Sequence, residues 1–295
     1  MATTTAPTTT PTAARRRKRS RLRFPWVTIA LLIGAFVFLF PFYYMIIGSL
    51  QTTPDPTPAG ALPDPGNLTL DNYSDINAQV NLARTLVNSG IFTGGVILGT
   101  VVFGALAGYA LAQLHFRGRG TVFAFALLVQ VVPFQLLIIP LYVLIARNYG
   151  LADSYLGMIM PFVINSTAVI IFRQYFLQLP AEMFDAARID GASEFAILRR
   201  IALPLIKPAL LTAVLLTFIG PWNEFLWPFL ITKQADLQPL AVALANYISN
   251  VSSRAANPFG AILAGACVLA GPAVLLYLLF QRYFVSSELG SGVKG

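Results

Sequence analysis

One carboxylate stands inside a long apolar stretch of this chain. Glu224 lies in Pro208–Thr232, with Trp222, Asn223 and Trp227 beside it. A charge at the centre of a membrane helix costs about 2.5–3.5 kcal/mol on insertion scales, so it needs water or a partner. Aromatic rings stack on the C–H faces of sugars, and amide or carboxylate oxygens take hydroxyl protons. Trp222, Asn223, Glu224 and Trp227 are therefore candidate pore or solute contacts. The bland alternative is a tryptophan belt at the outer interface with a structurally paired Glu224. The single cysteine, Cys267, sits in apolar sequence and reads as a small buried hydrophobe. With His115 as the one histidine, the chain lacks material for a zinc site or a Cys/His nucleophile. No catalytic residue and no metal ligand is expected.

A second group of residues has a different character. Gln178–Lys207 is charged yet still patterned as helix. Pro180 suits a helix start. Glu182 and Asp185 follow in the early turns, where negative charge suits the helix dipole. Gly191 suits a C-terminal cap, and Ser193 can cap a second helix that begins at Glu194. Phe195, Leu198 and Ile201 recur every three residues, and Pro204 is expected to stop this second helix. Met183, Ala186 and Ala187 are expected to share one face of the first helix. Such a narrow, smooth face suits either a cleft on another protein or the bilayer surface, and the pattern alone leaves both open.

The elements that carry these residues follow from composition. The chain has 295 residues, 56% hydrophobic and 11% charged, with a mean hydropathy of +0.69. Soluble domains carry about 25% charged residues, so the natural solvent of this chain is a bilayer. A spanning helix needs about 20 apolar residues. Six stretches qualify: Phe24–Pro54, Leu86–Leu114, Gly120–Ala146, Ser154–Phe172, Pro208–Thr232 and Ala255–Gln281. The expected fold is all-α with six transmembrane helices. Pro133 and Pro140 interrupt the third. Gly95, Gly99, Gly104 and Gly108 give the second a small-residue stripe, suited to close packing inside the bundle.

Charge sets the orientation. Arg84, Arg147, Lys233 and Arg254 fall on one side of the six spans, and the other sixteen Lys and Arg residues on the opposite side. The positive-inside rule makes that second side cytoplasmic. Both termini and the 178–207 loop are then expected in the cytoplasm of a multi-pass cell-membrane protein. The net charge of +8 comes largely from Arg15–Arg23. Its place just before a span marks a topology signal, so nucleic acid is not an expected partner. Residues 1–23 are expected to form a disordered basic tail, and 24–295 a six-span transmembrane domain. The first span is expected to be retained, because no small-residue cleavage site follows its long apolar core. The outer loop Gln51–Arg84, rich in Pro and Asp, is expected to be ordered only where it packs on neighbours.

The run Asp185-Ala186-Ala187-Arg188-Ile189-Asp190-Gly191-Ala192, followed by Ile201-Ala202-Leu203-Pro204-Leu205, resembles the "EAA" loop of ABC importer permeases. Further segments are similar to the carbohydrate permeases of that family. They are Phe40-Pro41-Phe42 to Ser49-Leu50, Asn88-Ser89, Ala107-Gly108-Tyr109-Ala110, Phe116-Arg117-Gly118, Pro140-Leu141-Tyr142 with Gly150-Leu151, and Trp222-Asn223-Glu224. The end, Gly292-Val293-Lys294-Gly295, resembles the terminal signature of the maltose-type second permease. Where the family carries glutamate this chain has Asp185, one methylene shorter.

The resemblance implies a type I importer permease whose 178–207 loop couples to an ATPase. It implies that Glu182, Asp185, Ala186, Ala187, Arg188, Asp190 and Gly191 dock that subunit, and that Gly292–Gly295 touch it. It implies a second homologous permease, two ATP-binding subunits and an extracytoplasmic solute-binding protein as partners. The sequence holds no Gly-x-x-x-x-Gly-Lys-Ser/Thr loop, so ATP and Mg are expected in the partners and no cofactor on this chain. A sugar or oligosaccharide is the expected solute, with a glycerophospho compound as the alternative. A secondary transporter fits less well, because one intramembrane Glu is thin material for ion coupling and leaves the alanine-rich loop unexplained.

Overall fold

A computed structural model describes residues 25–250 and 257–289. The expected basic tail 1–23 and the terminal segment Gly292–Gly295 lie outside the described residues. The chain divides into two compact units, residues 1–43 and 44–295. The first unit holds most of helix α1 (Pro25–Ser49). Its apolar side chains are exposed, Phe38 at 80% and Trp26 at 72%. With a bilayer as solvent, exposed Phe and Leu on a helix of this length carry no penalty.

The regular structure of the second unit's described residues is helical, apart from one isolated bridge between Gln51 and Leu68, with turns and irregular segments between the helices. Its helices are α2 (Asp71–Val80), α3 (Leu82–Gln113), α4 (Arg119–Val129), α5 (Phe134–Tyr142), α6 (Tyr155–Ile159), α7 (Ser166–Leu177) and α8 (Ala181–Ile189). They continue with α9 (Glu194–Ile197), α10 (Leu203–Leu205), α11 (Lys207–Asn223), α12 (Leu226–Ile231), α13 (Leu240–Asn250) and α14 (Pro258–Leu289). Three helices in the described chain are long and apolar enough to cross a membrane, and counting each bent pair as one span raises the total to six.

The bends have local causes. α4 and the helix from Phe134 to Asn148 meet at 97°. Pro133 lacks an N–H and drives the residue before it out of the helical region, so the chain must turn there. Pro140, by contrast, lies within α5 without breaking it, and a π turn (Val143–Asn148) follows. The fourth span bends by 52° between Phe162 and Ser166. Asn165 restarts the helix by accepting a hydrogen bond from the Ala168 amide at 3.2 Å.

The glycine stripe of α3 faces the fourth span. A Cβ at Gly108 would lie 2.7 Å from Phe172 Cβ and 2.9 Å from the Arg173 amide nitrogen. Gly95 and Gly99 meet Ile159 and Val163 in the same way. Removing four side chains lets the α3 and α7 backbones approach, and Ala105, Tyr109, Phe172 and Phe176 then pack as one cluster.

The Gln51–Arg84 loop is more regular than its composition suggests. It contains the ten-residue helix α2. Buried Asn72 holds it by donating to the carbonyls of Ser49 (2.9 Å) and Gln51 (2.8 Å), while Asn257 Nδ2 donates to Asn72 Oδ1. A side-chain amide satisfies these carbonyls where no strand or helix does. Asn88 plays the same part on α3. Fully buried, it donates to the carbonyls of Asp236 (2.8 Å) and Gln238 (3.0 Å) and accepts from the Tyr155 hydroxyl at 2.6 Å.

Candidate functional site

The 178–207 loop is a helix, a glycine turn and a second helix, as its residues require. α8 starts after Pro180, with Glu182 in its first turn. At its end the Gly191 amide donates to Arg188 O and the Ala192 amide to Ala187 O, both at 3.0 Å. This pair of bonds is a Schellman cap, and it needs a left-handed residue. Gly191 supplies it with φ +80°. Ser193 then caps the next helix, its hydroxyl accepting from the Ala196 amide.

Two expectations for this loop change. Ala187 does not share the outer face with Met183 and Ala186. It is buried beside Phe184, which is fully enclosed, in the cluster that includes Tyr109 and Phe176. The exposed apolar stripe runs instead through Met183, Ala186 and Ile189, the last 86% exposed, with Phe195 of the next helix at 64%. Helical geometry explains the split: Phe184 and Ala187, three apart, turn one way, and Met183, Ala186 and Ile189 the other. Pro204 does not stop the second helix either. A π turn (Leu198–Ala202) precedes it, and the helix runs to Leu205 before bending by 80° at Ile206. The wider turn absorbs a residue that cannot donate.

Arg188 organises the charges. Its Nη1 lies 2.9 Å from Asp185 Oδ1, and its Nε 2.8 Å from Glu194 Oε1. Glu194 also accepts from the Tyr109 hydroxyl at 2.6 Å. The loop is thus bonded directly to α3. The Arg188 hydrogen bond holds the Glu194 carboxyl below the ordinary carboxylate range, against the raising effect of burial. Asp185 keeps its side chain 65% exposed despite the pair with Arg188. Glu182 and Asp190 are exposed and have no ion pair among the described residues.

The residues around Glu224 separate into two roles. Trp222 is 5% exposed, donates from Nε1 to Leu269 O at 2.9 Å and stacks on Phe218. Trp227 is fully buried and shares its Nε1 hydrogen between Gly157 O and Met158 O, each at 3.2 Å. Neither ring lines a cavity that Glu224 lines. Asn223 turns back to Ile219 O. Glu224 marks the break between α11 and α12, where its Oε1 accepts from the Trp227 amide at 3.2 Å. It also lines a cavity of about 470 Å³. Gln130, Asn165 and Thr217 line the same cavity. Composition gave no reason to group these residues, because they lie on three spans whose breaks meet only in the fold.

The chain matches the family "binding-protein-dependent transport system inner membrane component" over residues 100–287. It is 35% identical over 272 residues to the arabinooligosaccharides transport system permease protein AraQ of Halalkalibacterium halodurans, covering 91% of this chain and 96% of that protein. It is 31% identical over 264 residues to the sn-glycerol-3-phosphate transport system permease protein UgpE of Agrobacterium fabrum, with 86% and 92% covered. Among solved structures it is similar to a bacterial ABC transporter involved in the import of the acidic polysaccharide alginate. There the TM-score is 0.75 at 25% identity, with 93% of this chain and 100% of that one covered. The chain belongs to the binding-protein-dependent transport family of inner membrane components, the permease subunits of ABC importers.

Proposed function

We propose that this chain forms half of the translocation pathway of an ATP-driven importer for a sugar or oligosaccharide. A second, homologous permease supplies the other half, and an extracytoplasmic binding protein delivers the solute. Two partner subunits bind ATP and Mg and hydrolyse the nucleotide, and this chain holds no cofactor. Both termini and the 178–207 loop face the cytoplasm, where the ATPases dock. The solute assignment is supported by the relative named for arabinooligosaccharides. The glycerol-3-phosphate relative motivates the second reading.

The observation that carries the docking reading is the exposed stripe Met183, Ala186 and Ile189 on a capped helix whose other face is locked into the core. An apolar face held rigidly outward beside charged Glu182, Asp185 and Asp190 has the composition of a protein interface. Glu182, Asp185 and Asp190 then offer charge contacts, and Arg188 positions Asp185. Ala187 and Gly191 act from within, by seating and turning the helix. Gly292–Gly295 remain a proposed tail contact.

The test is co-purification from the native host in mild detergent. Wild type brings an ATPase with it, and Ala186→Trp and Ile189→Asp release it while the chain still folds. An ATPase that stays bound to both variants, or one that never accompanies wild type, sinks the reading.

A further inference from the structure

Resting on the pore reading above, we infer that the cavity at the three helix breaks is a solute subsite for a neutral polyhydroxylated ring, and that it disfavours anionic solutes. Three features carry this. The third, fourth and fifth spans are each interrupted where they reach the cavity, and each interruption contributes a polar side chain. Gln130 comes from the turn before Pro133, Asn165 from the 52° bend, and Glu224 from the gap between α11 and α12. Irregular backbone at membrane depth is tolerated where it lines a cavity, and interrupted helices form solute sites near the midplane of transporters.

The second feature is unspent hydrogen-bonding capacity. The Thr217 side chain, only 6% exposed, lines this cavity and an adjoining one of about 120 Å³. Glu224 commits Oε1 to the Trp227 amide, and Asn165 commits Oδ1 to the Ala168 amide. Glu224 Oε2 and the Asn165 Nδ2 donors remain. Thr167 donates weakly to Gln130 Oε1 at 3.4 Å, which leaves the Gln130 amide donors open. One set of groups thus accepts from sugar hydroxyls and another donates to their oxygens. Phe134 and Phe162 add ring edges and faces to the wall, tilted with centroids 4.9 Å apart.

The third feature is charge. Among the described residues no Lys, Arg or His lines the cavity, and the one ionisable group there is the Glu224 carboxylate. A phosphate or uronate placed there meets like charge with nothing to balance it. A neutral saccharide meets an acceptor that its hydroxyls satisfy. The volume of about 470 Å³ suits one or two sugar rings. On this basis the arabinooligosaccharide-type relative, and not the glycerol-3-phosphate-type one, indicates the solute class.

The experiment uses the complete importer in proteoliposomes with its own ATPase and binding protein. Leu137→Cys, at an apolar residue of the cavity wall, is introduced alongside Cys267→Ala, and labelling by a small methanethiosulfonate reagent is timed during turnover. The probes are arabinotriose and sn-glycerol 3-phosphate. Arabinotriose is expected to slow labelling about tenfold, the scale of one lost charge-assisted hydrogen bond, and sn-glycerol 3-phosphate not at all. Adding Glu224→Gln, or separately Thr217→Val, is expected to remove most of that protection while the ATPase still co-purifies. Protection by the anionic probe equal to the neutral one, no protection by either, or protection unchanged in both variants overturns the inference. Failure of the wild-type chain to retain an ATPase overturns the importer reading instead, so the two failures are distinct.

Discussion

Tyr109 of α3 and Glu194 of the 178–207 loop share a hydrogen bond of 2.6 Å. The same carboxylate takes the Arg188 guanidinium of α8. One acidic group therefore joins the proposed docking helix, the helix after it and the second span, so a push on α8 reaches the membrane through a bond and not only through packing.

Tyr109→Phe tests that joint. Tyr109 is 3% exposed, but Glu194 keeps its side chain 40% exposed. Solvent screening therefore limits the expected loss to about 1 kcal/mol. Thermal unfolding in detergent should register a small decrease. The larger effect is expected on coupling: the ATPase stays bound, but its stimulation by solute falls. Unchanged stimulation in reconstituted importer argues against the Tyr109 link.

The pH dependence has a definite sign. Glu194 has its pKa lowered from the ordinary 4.5, first by the Arg188 hydrogen bond. A lowered carboxyl pKa stabilises the fold above the ordinary value, and the contribution disappears as pH falls through the lowered one. The loop is therefore expected to loosen on acidification below the ordinary carboxylate range and not between pH 6 and 8. Hydrogen exchange of the α8 amides across that range checks it, and Glu194→Gln should flatten the response.

Gly191 tests the turn. Space is available there, since a Cβ meets nothing within 4 Å, but φ is +80°. Gly191→Ala is expected to cost about 1 kcal/mol through backbone strain alone, and Gly191→Val more. Both should weaken ATPase retention in proportion. Equal retention in wild type and Gly191→Val speaks against a requirement for the Schellman turn.

Glycines on α3 divide by environment. At Gly108 the new methyl group collides with Phe172 Cβ and the Arg173 backbone, neither of which can swing away. Gly108→Ala is expected to destabilise by about 2 kcal/mol through overpacking. At Gly94 no atom lies within 4 Å, so Gly94→Ala should be neutral or slightly stabilising. Melting temperatures of the two variants side by side decide it, and equal values refute close α3–α7 packing.

Asn88→Ala removes three hydrogen bonds at once from a fully buried residue. Two carbonyls and a phenol lose their partner, at an expected cost of about 3 kcal/mol. Expression and thermal stability should fall together, whereas Asn88→Asp should recover little, because it places a carboxylate against carbonyl oxygens.

The sequence by itself determined the class of this protein. Low charge and long apolar stretches set the solvent, and local rules placed Pro180, Gly191 and Ser193 at their helix ends, because a cap depends on residues within a turn of one another. The helix, glycine turn and second helix of the 178–207 loop were also legible, since their signals are contiguous. What only the tertiary structure decided was direction and company. Ala187 faces inward because Phe184 beside it is enclosed, which periodicity could not distinguish from the opposite rotation. The tryptophans next to Glu224 went to the core because backbone carbonyls of distant residues, Leu269 for one and Gly157 and Met158 for the other, accept their N–H groups. Glu224 instead gained Gln130, Asn165 and Thr217 as neighbours, from spans up to about a hundred residues apart in sequence. Caps are short-range and can be read along the chain, whereas a cavity exists only where separate helix breaks come to the same depth.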